Sequence, residues 1–125
     1  MQKVNMTVER NSLDVKQVGN VVLISLRGTF LAVDHEWLNT VYLQQLIEGM
    51  IFFLFDLSEA CTLQSVIIGG ILELYKKVSL IGGGVRLVHP SGQVKYILNL
   101  SRLSTLLPVD DSSDDALRVC QNQSP

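Results

Sequence analysis

Six consecutive apolar residues, Met50-Ile51-Phe52-Phe53-Leu54-Phe55, run without a polar break into Asp56-Leu57-Ser58-Glu59. A strand with one wet face alternates, so a continuous run predicts a strand buried on both faces. After a short polar loop, the stretch from Leu63 to Val78 reads as a helix. It places apolar residues at 71, 72, 74, 75 and 78 and polar residues at 73, 76 and 77, which is helical spacing. A strand feeding a helix in this way is half of a βαβ unit. In such sheets the strand's carboxyl end and the helix's first turn tend to form the working surface.

The rest of the chain fits around that unit. Residues 1–11 read as an arm or a short edge strand. Leu13 to Val18, the turn pair Gly19-Asn20 and the β-branched run Val21 to Arg27 predict an antiparallel hairpin at the sheet edge. Asp34 is placed to cap a helix that runs to about Gly49. Gly82-Gly83-Gly84 closes the central helix, and Val85 to Val88 is the next strand. Ser91 is a candidate cap for a third helix, near Gln93 to Leu98. Leu106 to Val109 forms a short strand, held to an edge by Pro108. Ser112 and Asp115 have the spacing of a capping box for a last helix. Residues 121–125 form a frayed tail. The order predicts an α/β domain with a mixed, mostly parallel sheet of four to five strands, about four helices and an antiparallel N-terminal edge hairpin.

Composition narrows the function. A chain of 125 residues suits one domain, and 47% apolar with 18% charged residues is globular rather than disordered. The net charge is −2 and Lys76-Lys77 is the largest basic cluster, which argues against a nucleic-acid surface. No run reaches the roughly 20 apolar residues of a membrane helix, and the first residues do not resemble a signal peptide. The expected compartment is the cytoplasm, with Cys61 and Cys120 reduced. The acids Asp110, Asp111, Asp114 and Asp115 lack calcium-loop spacing. His35 and His89 are too isolated for a zinc site. Ser65, His89 and Asp56 can be selected on paper as a triad, but no nucleophile elbow is present. The expectation is a non-enzyme without metal or cofactor.

Ser65 stands at the junction of loop and helix. Its oxygen can cap the helix, or a phosphate placed there would face the positive end of the helix dipole. Both readings stand on the residues alone. Val66, Ile67 and Ile68 fill the first helical turn and cannot all face the core. At least one is expected at the surface, with Leu63 nearby. Such a cluster is either scattered exposure or a partner surface.

Several segments in order resemble the STAS domain, the module of sulfate transporters and anti-sigma factor antagonists. Phe55-Asp56-Leu57-Ser58 is followed by Leu63-Gln64-Ser65-Val66-Ile67-Ile68-Gly69-Gly70-Ile71-Leu72 and then by Tyr75-Lys76. Gly83 to Pro90, Val94 to Leu98 with Leu103 and Leu106, Asp114 to Leu117 and Val21 to Gly28 extend the likeness over about residues 12–120. The resemblance implies a bacterial partner-switching protein that binds a serine kinase which is also an anti-sigma factor. The family's junction reads D-S-S-G-L-G with its first serine as phosphoacceptor, and Ser65 aligns with that serine. With Ser65 as the regulatory site, the residues around it, Leu63, Gln64, Val66, Ile67 and Gly69, are the expected partner contacts.

The departures are specific. Gln64 replaces the aspartate, Val66 the second serine and Ile67 the glycine, while Leu31 stands where the family has an acid after the second strand. Two readings follow from the resemblance. One is a divergent antagonist switched at Ser65. The other is a constitutive adaptor or scaffold, such as a stress-signalling scaffold or a transport-ATPase subunit, that is not phosphorylated. Both act by protein–protein contact, as a monomer or a homodimer.

Overall fold

The computed structural model describes residues 10–100 and 109–110. Strands β1 (Asn11–Val18) and β2 (Val21–Phe30) form the expected hairpin, turned at Gly19 and paired from Asn11↔Gly28 to Val18↔Val21. Helix α1 (His35–Ile47) leads to β3 (Phe52–Asp56), and β3 pairs in parallel with β2 from Val21↔Phe52 to Ser25↔Asp56. Next come β4 (Ala60–Leu63), α2 (Ser65–Ser79), β5 (Gly84–Val88), α3 (Gly92–Leu100) and β6 (Val109–Asp110). The sheet order is β1-β2-β3-β5-β6, with all neighbours parallel except the hairpin.

Period-two alternation divides β3 between two clusters. Phe53 and Phe55 join Val22, Ile24, Val85 and Leu87 in the main core with the helices. Phe52 and Leu54 join Val21 and Val88 on the opposite face. All four residues of β3 from Phe52 to Phe55 are buried, which is why the run is continuous. The α2 stripe Ile67, Ile68, Ile71, Leu74 and Val78 seals the main core. Val94 and Leu98 of α3 reach the same cluster.

The link between β3 and α2 is not the plain loop expected. Within it, β4 pairs in parallel with the far end of β2, past the point where β3 stops. The register shifts at Gly28/Thr29, so Gly28 faces Ala60 and Thr29 faces Thr62. Gly28 carries this irregularity. Its φ is +87°, and a Cβ there would lie 2.2 Å from the Arg10 carbonyl oxygen. The expected last helix, the tail 121–125, Cys120 and the acids Asp111, Asp114 and Asp115 lie outside the described residues. So do residues 106–108, where the expected last strand begins; the described strand is Val109–Asp110.

Local capping follows the sequence in one case and departs from it in another. Ser91 caps α3: its Oγ accepts from the Val94 N–H at 3.4 Å and donates to the Ala60 carbonyl at 2.6 Å, tying α3 to β4. Asp34, expected to cap α1, makes no side-chain bond to that helix. It closes the preceding 3-10 turn Ala32–Asp34 instead, accepting from the Leu31 N–H at 2.8 Å. Arg10 is 24 residues away yet grips the same carboxylate with two bonds, of 2.7 and 3.1 Å. Asn11 adds a third side-chain donor at 3.2 Å.

Tyr42 of α1 carries the one unsatisfied buried side-chain polar atom found among the described residues. Its ring meets Phe55 edge-on, with centroids 5.6 Å apart, and burial pushes its phenol well above the ordinary pKa. Tyr42→Phe keeps the ring contact and removes the orphaned hydroxyl. We expect it to raise stability by about 1 kcal/mol, read as a higher urea midpoint at unchanged m-value.

Candidate functional site

The start of α2 sits where β4 ends. The Gln64 N–H donates to the Phe30 carbonyl at 3.0 Å, as the last bond of the β2/β4 ladder. Gln64 is the N-cap, with φ −65° and ψ 156°, and its carbonyl accepts from the Ile67 and Ile68 N–H groups. Ser65 is therefore the first helical residue, one position past the cap. No side-chain hydrogen bond caps this helix, so the reading of Ser65 as a structural cap does not hold. Its side chain is at the surface, at the positive end of a 15-residue helix whose first turn holds no acidic residue.

The sequence-predicted contact residues divide into two groups. Gln64, Ser65 and Val66 are exposed, Val66 at 39%. Gly69, one turn on, is half-buried, and a Cβ there would meet nothing within 4 Å. Leu63 and Ile67 are corrections. Leu63 pairs with Phe30 at the end of β4 and is 2% exposed, and Ile67 points into the core at 1%. Their side chains cannot meet a partner. The first turn of α2 resolves as Val66 outward with Ile67 and Ile68 inward.

Sequence reasoning missed the second half of this surface. The Gln64 Oε1 accepts from the Ala32 N–H at 2.7 Å, fixing the 3-10 turn beside the start of α2. That turn presents Val33, 76% exposed. Behind it, Asp34 is 8% exposed and held by Arg10. Burial works to raise the Asp34 pKa, but the bonds from Arg10, the Leu31 N–H and Asn11 outweigh it, so the carboxyl lies below its ordinary value. No local pattern announces this arrangement, because Val33 gains its place through a glutamine 31 residues further on. The surface thus combines a hydroxyl, two exposed valines and a helix N-terminus, and the Asp34 carboxylate behind it is neutralised by Arg10.

Gly70 and Gly69 have different standing. A Cβ at Gly70 would lie 3.1 Å from the His35 ring, so α1 and α2 cross closely there. Gly69 has open space around it, and a mid-helix glycine lowers stability relative to alanine. Gly69→Ala is expected to stabilise the fold by about 0.5–1 kcal/mol, measured as a raised thermal midpoint.

Among the described residues, no group of three or more His, Cys, Asp or Glu side chains is placed to hold a metal ion. No described helix is long and apolar enough to cross a membrane. Cys61 is a free, exposed thiol.

A mixed sheet of this order, edged by an antiparallel hairpin and connected through helices, places the chain in a definite class. It belongs to the STAS domain family, whose model matches residues 12–116. Among individual relatives, it is 28% identical over 103 residues to a Thermotoga neapolitana protein named as an anti-sigma factor antagonist homologue, covering 82% of this chain and 91% of that one. The crystal structure of an anti-sigma factor antagonist from Mycobacterium paratuberculosis superposes with a TM-score of 0.80 at 20% identity, over 92% of this chain and 97% of that chain. The antagonist SpoIIAA in its unphosphorylated form gives 0.79 at 16% identity, over 89% and 97%. Its phosphorylated form gives 0.69 at 16% identity, over 86% and 97%. At these identities the two solved proteins share the fold.

Proposed function

We propose that this chain is a regulatory protein of the anti-sigma factor antagonist type. It binds an anti-sigma factor that is also a serine kinase, and phosphorylation of Ser65 releases that partner. The carrying observation is the Ser65 side chain. It is exposed at the first position of α2, bears no capping duty, and stands beside the exposed valines at positions 33 and 66. The described structure gives the hydroxyl no structural task. The curated relative's name and the two forms of SpoIIAA support the same reading.

The chemistry follows from charge. The unmodified surface is partly apolar, suited to a partner that covers Val33 and Val66. A phosphoserine brings roughly −1.5 to −2 charges to that surface. The free N–H groups of the α2 N-terminus accept this charge in the uncomplexed chain, whereas burial under a partner without a cation is costly. Modification therefore favours the free chain over the complex. Gln64 holds the 3-10 turn through Ala32, and its neutral side chain adds no repulsion to the phosphate.

The test uses the serine-kinase anti-sigma factors of the source organism, each purified and titrated with the chain by calorimetry. The reading predicts a saturable complex with one of them, and loss of that complex when ATP is added and Ser65 becomes phosphorylated. A chain that binds none of them contradicts it.

A further inference from the structure

The pole of the molecule opposite Ser65 carries a second apolar surface. Both α1 and α2 run antiparallel to the parallel strands they connect, so their C-terminal ends lie together. Leu43 of α1 and Lys77 of α2 line one crevice between the helices. One turn beyond Leu43, Ile47 closes α1 at the same end, and Leu80 and Ile81 follow the end of α2. Leu43, Ile47, Leu80 and Ile81 are 43%, 79%, 88% and 62% exposed. Together they offer about 500 Å², the size of the largest apolar patch on an ordinary monomer.

These side chains are held outward. The turn after α2 is fixed by the Gly83 N–H on the Val78 carbonyl at 2.7 Å and the Gly84 N–H on the Ile51 carbonyl at 3.0 Å. A Cβ on Gly83 would lie 2.1 Å from the Ile51 oxygen, so the turn is pressed against the chain entering β3. Leu80 and Ile81 precede this anchored segment and lie at the surface.

The charges around the patch are arranged by helix. Glu48 closes α1; its carboxylate accepts from the Gln17 and Gln44 amides and meets no cation among the described residues. Lys76 and Lys77 close α2 and form no ion pair among the described residues. Glu73 lies along the same crevice but not within ion-pair distance of Lys77. One side of the patch is thus acidic and the other basic.

We propose that this pole is an interface between two copies of the chain. A two-fold contact is isologous, so the end of α1 on one copy meets the end of α2 on the other, twice. That places Ile47 against Leu80 and Ile81, and Glu48 against Lys76 and Lys77, in both halves. The apolar area doubled is about 1,000 Å², the size at which specific interfaces begin, so the dimer is weak and reversible. An α2 of 15 residues spans about 22 Å, which keeps both Ser65 sites clear of the contact.

Sedimentation velocity of the full chain from about 5 to 500 µM tests this. The expected result is a shift from monomer toward dimer across that range. Leu80→Glu/Ile81→Glu alters only exposed side chains, so it is expected to keep the wild-type melting temperature and weaken association at least tenfold. Lys76→Glu/Lys77→Glu and Glu48→Lys are each expected to associate less than wild type, and to recover association when mixed. A wild-type chain that stays monomeric at 500 µM overturns the proposal. So does association that the Leu80/Ile81 variant leaves unchanged, or a mixture no tighter than its components.

Discussion

Ser65→Asp is expected to weaken binding to the anti-sigma factor partner by roughly a hundredfold or more. The fold should remain intact. The substitution puts a permanent carboxylate where the structure has an exposed, uncommitted hydroxyl. In the free chain it faces the positive end of α2 and is neutral to mildly stabilising, by about 0.3–1 kcal/mol. In the complex it lies beside Val33 and Val66 under the partner and loses its water. An unpaired charge in such a place costs about 3 kcal/mol or more, which is the stated loss of affinity. The opposed signs are the useful part: the thermal midpoint holds or rises while affinity collapses. Ser65→Ala should bind like wild type and resist ATP-driven release. A Ser65→Asp chain that binds at wild-type affinity removes the charge argument.

Asp34→Asn has the largest expected effect on stability, a loss of about 2–3 kcal/mol at neutral pH. The carboxylate receives two bonds from Arg10, one from the Leu31 N–H and one from Asn11. Hydrogen bonds to a charged group contribute about 1.5–3 kcal/mol each in favourable cases, and the exposed part of Arg10 recovers some of that loss in water. The pH dependence has a definite sign. The Asp34 pKa is lowered in the fold. Its stabilisation is therefore complete above the unfolded carboxylate value, about 3.9, and disappears as pH falls through the lower folded value. Urea midpoints measured from pH 7 to pH 2.5 should show the gap between wild type and Asp34→Asn constant down to about pH 4, then closing. A gap independent of pH contradicts the assignment. The same variant frees the turn that carries Val33, so partner affinity should fall with it.

Arg27 illustrates a different kind of ion pair. It bridges Asp14 and, at 3.0 Å, Glu59. The hydrogen bond with Asp14 and then that with Glu59 raise its pKa, but its side chain is 39% exposed. Such surface pairs contribute little beyond fractions of a kcal/mol. The buried end of the Arg10 pair is what separates the two cases.

Much of the framework was legible because it rests on local periodicity. The continuous Phe52–Phe55 run announced a strand buried on both faces, and the α2 stripe announced its packing face. Ser91 was readable as a cap because capping is a short-range bond. The Ala60–Leu63 strand was not readable. Four residues show no period, and they pair with β2 only through the register shift that Gly28 permits. Leu63 is expected as a partner contact for the same reason: without β4, nothing in sequence turns it inward. Asp34 looked like an ordinary cap of α1, and only the return of Arg10 shows it serving the turn before the helix.

The candidate site was half legible. The change from loop to helical spacing placed Ser65 at the helix start, and helical geometry required an outward residue in the first turn, which is Val66. Gln64 stands where the family has an acid. In the fold its Oε1 binds the Ala32 N–H and sets Val33 beside Ser65, a consequence that depends on a contact between distant segments.

Intact mass spectrometry of the protein purified from its native cells, with site mapping, tests the central claim most directly. The account predicts a single phosphate, located on Ser65, whose occupancy changes between growth and stress. A chain that carries no phosphate under either condition, or carries it elsewhere, contradicts the switch and leaves the surface around Ser65 as a constitutive docking site.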